Sequence, residues 1–450
     1  MKLILATAAL AAAAPVAAQT HQGHDQHPPT PTAAPPPAPA TSQSEAGHGD
    51  HAAPPESMDA MPGMAPGRPD MAMSAALGAY PAARESSGTA WQPDASPTGG
   101  AHLMTGGWML MGHGLLNLVH DRQRGPRGDE QGFVSGMLMG MARRDIGRGT
   151  LQLRAMLSPE PAMGARGYPL LLATGETADG AAPLVDRQHP HDFFMELSAS
   201  YAFRLSDRAS AFLYAGLPGE PAFGPPAFMH RLSILDSPEA PISHHWLDST
   251  HISFGVVTAG LVLGDLKLEA SRFNGREPDQ HRWNIETGPL DSTSLRFSWN
   301  PTPNLALQAS WAHLVAPEQL EPGENSTRWS ASAIYTRPLG RRGWWSTTLA
   351  WGNRAGREAF ALESAAGLGL WTLFGRAEYT QNDELSGRHH GPAFDVGKVS
   401  FGAIRDFRIA PHVRLGLGGL YAFDLVPRGL RTSYGGNPEG AMAFLRLKVD

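Results

Sequence analysis

The 450-residue chain has no cysteine. That excludes disulfides, thiolate metal sites, thiol nucleophiles and a cysteine-borne lipid anchor. Beyond its N-terminus it has no apolar run near the roughly 20 residues that a membrane helix needs. It has no long basic block and a formal net charge of −6, so nothing points to nucleic acid. Charged residues are 17% and aromatics 8%, against 51 glycines, the balance of a Gly-rich β-protein. It also lacks a Gly-x-Ser-x-Gly elbow. Ser243, His244, Asp248, Ser249 and His251 supply hydrolase residue types, but closeness in sequence is not a triad geometry. The expectation is a protein that is not an enzyme and has no catalytic residues.

What is present falls into three parts. Residues 1–18 read as a secretory signal: Lys2 is the positive start, Leu3 to Ala14 the apolar region, and Val16 and Ala18 the small residues before cleavage. Residues 19–98 are rich in Pro, Ala, Gly, Ser and Thr, a composition that cannot bury enough apolar surface to order itself. This segment is expected to be disordered in the periplasm. It carries His21, His24, His27, His48 and His51, then Met58, Met61, Met64, Met71 and Met73. Imidazole suits Cu(II) and zinc, and thioether selects Cu(I). A chain bearing both can hold copper in either oxidation state; zinc, which gains nothing from the methionines, is the lesser candidate. The alternative is a plain spacer.

From 99 to 450, short runs alternate apolar and polar residues. Phe193, Met195, Leu197, Ala199, Tyr201, Phe203 and Leu205 fall on one side, and Glu196, Ser198, Ser200 and Arg204 on the other. The runs are 104–120, 133–145, 150–158, 193–205, 208–217, 252–263, 265–274, 293–300, 304–313, 327–337, 343–353, 359–365, 369–380, 396–407, 412–424 and 440–449. Short and long joins alternate between them, as in outer-membrane barrels. The pattern predicts an all-β, transmembrane, antiparallel up-and-down β-barrel of about 16 strands (14–16), apolar toward lipid. Glu196, Arg204, Lys267, Glu269, Arg296, Arg328, Arg376, Glu378 and Arg414 would then face a wet or plugged lumen. Trp299, Trp311, Trp329, Trp344 and Trp345 are expected at an interfacial girdle.

Candidate ligands concentrate in the long joins. One cluster is Asp186, His189, His191 and Asp192. His189 and His191 are two apart, so in extended chain both rings point one way and could share an ion. A second spans Met229, His230, Asp236, His244, His245, Asp248 and His251; a third holds Glu277, Asp279, His281 and Glu286; a fourth is His389-His390. Imidazole with carboxylate is a ligand set for zinc or Cu(II). Structural pinning of the loops inside the lumen is the competing reading.

The layout, with tail residues Met58, Met61, Met64, Met71 and Met73, resembles the copper-resistance protein B family of outer-membrane proteins. That resemblance implies a signal peptide, a Met- and His-rich periplasmic segment, a C-terminal barrel and a role in copper handling. Phe228-Met229-His230-Arg231, His244-His245-Trp246 and Asn274-Gly275-Arg276-Glu277-Pro278 look instead like a less characterised group of bacterial outer-membrane barrels. The expected partners are outer-membrane lipid, metal ions and periplasmic metal-handling proteins. A porin or solute channel with a spacer tail, and a plugged structural barrel, are the alternatives.

Overall fold

Period-two alternation builds the wall. In the computed structural model, which describes residues 75–341, 343–388 and 390–450, each of the sixteen expected runs contains a strand of the wall, although 106–107 form a turn within the first and 252–255 precede the strand in the sixth. The wall consists of β2 (Trp108–Gln123), β3 (Glu130–Ile146), β4 (Gly149–Leu157), β7 (Phe194–Ser206), β8 (Ala209–Gly216), β9 (Val256–Leu263), β10 (Leu266–Phe273) and β11 (Ser292–Thr302), followed by β12 (Leu305–Val315), β13 (Asn325–Leu339), β14 (Gly343–Arg354), β15 (Arg357–Leu368), β16 (Trp371–Asn382), β17 (Phe394–Ala410), β18 (Val413–Leu425) and β19 (Glu439–Val449). Each pairs antiparallel with its neighbours in this order, and β19 returns to β2 through Gly440↔Gln123 to Val449↔Gly114. The result is a closed 16-stranded antiparallel barrel. Closure leaves the wall no unpaired edge. A short strand, β1 (Ala101–Thr105), pairs with the first residues of β2 beyond the end of β19.

The two faces of the wall are inverted relative to a water-soluble protein. On β11, Leu295, Phe297 and Trp299 are 45%, 44% and 42% exposed, while Arg296 between them is 1% exposed. Leu349, Leu417 and Leu445 point outward, and Arg328, Arg376, Arg446, Lys267, Lys398, Glu269 and Glu363 are buried inside. An apolar exterior around a charged interior belongs in lipid. This is therefore an outer-membrane type of barrel. Among the charges expected inside, Arg204 and Arg414 keep the inward parity but stand exposed at the short-turn end, where Arg414 pairs with Asp450 at 3.1 Å. Trp299, Trp329 and the additional Trp371 stand on the outer surface. Trp344 departs from the girdle expectation: it has inward parity and packs on the luminal core.

Three segments supply much of the interior packing among the described residues. The first is the strap from Ala75 to Ser96, which corrects the expected limit of disorder at 98: Ala75, Leu77, Tyr80 and Trp91 pack on Ala202, Phe212 and Val262 of the inner wall. Composition gave no sign of this, because order comes from the wall's charges. Arg296 donates to Thr89 Oγ1 at 2.8 Å, and Arg154 and Lys267 donate to the carbonyls of Gly88 and Thr89. Tyr80, Arg84 and Trp91 also form their own cluster: Trp91 donates to the Tyr80 hydroxyl at 3.2 Å, and Arg84 clasps Asp94 at 2.6 and 2.7 Å. The second segment is the β5 (Tyr168–Thr177) and β6 (Pro183–Gln188) hairpin, with Leu170, Leu171 and Leu172 buried. The third is the 217–255 connection between β8 and β9.

Candidate functional site

The 217–255 segment is rich in proline, which cannot supply ladder donors, so it folds as short turns. Several of its charged and backbone groups are paired with the wall. Arg231 places two guanidinium nitrogens on Glu363 of β15 at 2.8 and 2.6 Å, and a third on Asp248 at 2.5 Å. Arg376 of β16 donates to the carbonyls of Glu239 and Ala240 at 3.0 and 2.8 Å. Lys398 of β17 meets Glu239 at 2.8 Å. These ions are fully buried, so each depends on its partner to offset lost hydration. The helical turn His244–Leu247 lies against β14 and β15, where Trp246 and Leu247 pack on Ala350, Ala359 and Ala361. Glycine is required there: a Cβ at Gly352 would collide with the Trp246 carbonyl, and one at Gly175 with the His245 ring.

This packing collects five imidazoles. His189 lies 6.2 and 5.8 Å from His244 and His245, ring centre to ring centre. His244 is 5.5 Å from His245 and 5.1 Å from His251, and His251 is 5.2 Å from His191. All five are buried. Phe228 closes one side, 5.9 Å from His191 and 5.6 Å from His244.

Four of the rings are tethered in the same way. The Nδ1–H of His191 donates to Glu160 Oε2 at 2.8 Å, that of His244 to Asp248 Oδ1 at 2.8 Å, and that of His251 to the Asp248 carbonyl at 2.7 Å. His189 Nδ1 faces the Pro190 carbonyl at 3.3 Å. These oxygens only accept, so in the neutral rings the lone pair resides on Nε2. The Nε2 atoms of His191 and His251 are buried without a hydrogen-bond partner, as are both ring nitrogens of His245. His189 Nε2 is 3.3 Å from Glu176 Oε1 but out of hydrogen-bond alignment. A histidine whose far nitrogen is fixed by an oxygen, with the near one bare, is the arrangement that presents imidazole to a metal. The donors do not converge into a cage: among the described residues, Glu321, Glu324 and His390 are the group of three His or carboxylate donors within 4.8 Å of one another. The chamber is a lining of lone pairs.

Electrostatics keep part of this lining in its ligating form. Burial, then the positive Arg282 and neighbouring rings, hold His189 well below the usual imidazole range. Burial and the facing imidazoles do the same to His251, and burial lowers His244 despite Asp248. For His191 and His245 burial is outweighed by Glu160 and Glu277 respectively, so both are raised. Burial acts upward on the Asp248 carboxyl, but Arg231 and then His244 hold it below the ordinary carboxylate range.

Of the residues singled out in sequence, His189, His191, His244, His245 and His251 come together. His189 and His191 do not face one another; each meets different rings. Asp192 is buried but engaged by Arg282 at 3.1 Å. His230 lies apart, beside His113. His281 is exposed and pairs with Asp279 at 3.1 Å. His21, His24, His27, His48, His51, Met58, Met61, Met64, Met71, Met73 and His389 lie outside the described residues. The serines form no triad: Ser243 donates to Glu378 at 2.6 Å, and Ser249 accepts from Arg328 at 2.8 Å. Sequence reasoning missed Glu160, which lies 31 residues before His191 in the chain and carries no motif, and it gave Phe228, although within a singled-out segment, no part in the site.

No protein-family model matches the chain, and no curated protein does. Among solved structures it is similar to Salmonella typhi OmpF in complex with daunomycin, at 12% identity and a TM-score of 0.47, covering 77% of this chain and 100% of that one. It is also similar to Vibrio cholerae OmpT, at 9% identity and a TM-score of 0.41 over 77% and 100% of the two chains. A mutant Rhodopseudomonas blastica porin gives 14% and 0.36 over 76% and 100%.

Proposed function

We propose that this outer-membrane barrel binds transition-metal cations, copper foremost, in its lumen and passes them across the outer membrane. The carrying observation is the chamber of His189, His191, His244, His245 and His251, with four rings held through Nδ1 and the Nε2 atoms of His191, His245 and His251 buried without a hydrogen-bond partner. Passage requires sites that attract an ion without trapping it, and an unconverged lining of imidazoles meets that requirement. The strap, the hairpin and the 217–255 segment pack the interior, which argues for selectivity over a wide aqueous pore. In this reading the N-terminal His and Met residues act in the periplasm, capturing the ion and exchanging it with periplasmic metal-handling proteins.

The test is flux into proteoliposomes holding the full chain. Copper is expected to enter faster than a neutral disaccharide, and His244→Ala/His251→Ala is expected to slow copper alone. Equal entry of sugar and copper, unchanged in the variant, would make the protein a general porin.

A further inference from the structure

Methionine is concentrated on one stretch of the inner wall. Met109, Met111 and His113 alternate along β2, and Met137, Met139 and Met141 along β3, so each trio shares a face. Register then aligns them. His113 is directly opposite Met139, and Met139 directly opposite Met156 of β4. Met195 sits where β7 shifts register against β4, and it is fully buried. The turn Phe228–His230 brings His230 down onto this rung: Phe228 borders the imidazole chamber, and His230 reaches the methionines two residues later.

His113 Nε2 lies 3.1 Å from Met139 Sδ, His230 Nε2 lies 3.4 Å from Met156 Sδ, and the two rings are 6.3 Å apart. Nitrogen and sulfur bound tetrahedrally at the bond lengths known for zinc stand about 3.5 Å apart, so each pair is already near chelating separation. Among the described residues no carboxylate is hydrogen-bonded to either ring. The cations nearby are themselves paired, Arg154 with Glu196 at 2.7 Å and Lys448 with Asp450 at 3.6 Å. A thioether-rich site with no carboxylate on its rings disfavours hard oxygen-seeking ions. It suits a soft monovalent ion.

We infer that His113, His230, Met139 and Met156 form a binding site for Cu(I), or its analogue Ag(I), on the inner wall of the barrel. It is separate from the imidazole chamber. The ion arrives already monovalent, so no electron transfer is involved. The inference deepens the cation-handling reading and rests on it only for the ion's access to the lumen.

The parent for the test is the detergent-solubilised full chain with Met58, Met61, Met64, Met71 and Met73 replaced by leucine. Ag(I) titration of this parent and of its Met139→Leu/Met156→Leu derivative should differ by one tight equivalent. X-ray absorption at the silver edge should lose its sulfur scattering in the derivative. Met→Leu conserves volume and is well tolerated in cores. His230→Gln, outside the wall strands, should also weaken Ag(I) at least about tenfold, which covers any failure of the strand variants to assemble. Unchanged Ag(I) stoichiometry in the double variant and unchanged affinity in His230→Gln would overturn the site. If Cu(II) still titrates into the chamber in that case, this inference falls and the chamber stands; if Cu(II) binding is also absent, both fall.

Discussion

The lumen holds its histidines in two ways, and the contrast shows how one residue type is placed beside oxygen in one region and beside sulfur in another. In the chamber, His191 and His244 are tethered by carboxylates and His251 by a carbonyl, at 2.7–2.8 Å. On the methionine rung, His113 and His230 meet thioether sulfurs at 3.1 and 3.4 Å. Oxygen tethers fix a ring and raise its basicity. Sulfur neighbours add a soft donor. The chamber therefore depends on long-range ion pairs that hold the 217–255 segment in place, whereas the rung depends mainly on strand register.

The largest expected break in that contrast is Arg231→Ala. It leaves Glu363 and Asp248 buried without their shared cation, a loss of roughly 3–5 kcal/mol. Limited proteolysis should then cut within 217–255, and Cu(II) binding should vanish. Replacing Glu363 by Gln in the same chain should recover part of the loss. Next is Glu160→Gln, which removes the charge tethering His191 and should weaken Cu(II) about 10–100-fold. Ag(I) binding on the rung should be unmoved, so a parallel loss there would erase the distinction.

A smaller effect concerns pH. A ring ligates only when neutral, so binding is present above its folded pKa and lost as pH falls through it. His189, His244 and His251 are lowered from 6.5, and His191 and His245 are raised from it. Cu(II) affinity should thus decline first above 6.5, as the raised pair protonates, and then hold through 6.5 on the lowered three. Titrations between about pH 7.5 and 5.5 check this; a steep fall centred on the ordinary histidine value would contradict it. The smallest effect belongs to His281→Ala, since that ring is exposed. Binding should be unchanged, and stability should stay within about 0.5 kcal/mol in thermal melts.

The wall was legible because period two is local: Leu295, Arg296, Phe297, Ser298 and Trp299 announce their faces without reference to any other strand. The plug was not. Whether 75–96 or 217–255 enters the barrel depends on Arg296, Arg376 and Lys398, cations some 140 to 200 residues from the groups they bind. The histidines were legible as a class of ligand, yet their division between His230 and the other five follows from the path of one turn. The rung was written in the sequence as Met137, Met139 and Met141 beside Met111 and His113, but alternation alone reads equally as core. Only the register His113↔Met139↔Met156 makes it a constellation.

Buried imidazoles in the lumen are proposed to present free Nε2 atoms to a cation. Electron paramagnetic resonance of one equivalent of Cu(II) bound to the full chain, with tail histidines 21, 24, 27, 48 and 51 replaced by serine, tests this directly. The expected result is a bound signal with multiple-nitrogen hyperfine splitting that disappears in His244→Ala/His251→Ala. A signal of free or oxygen-coordinated copper, identical in both proteins, would contradict it.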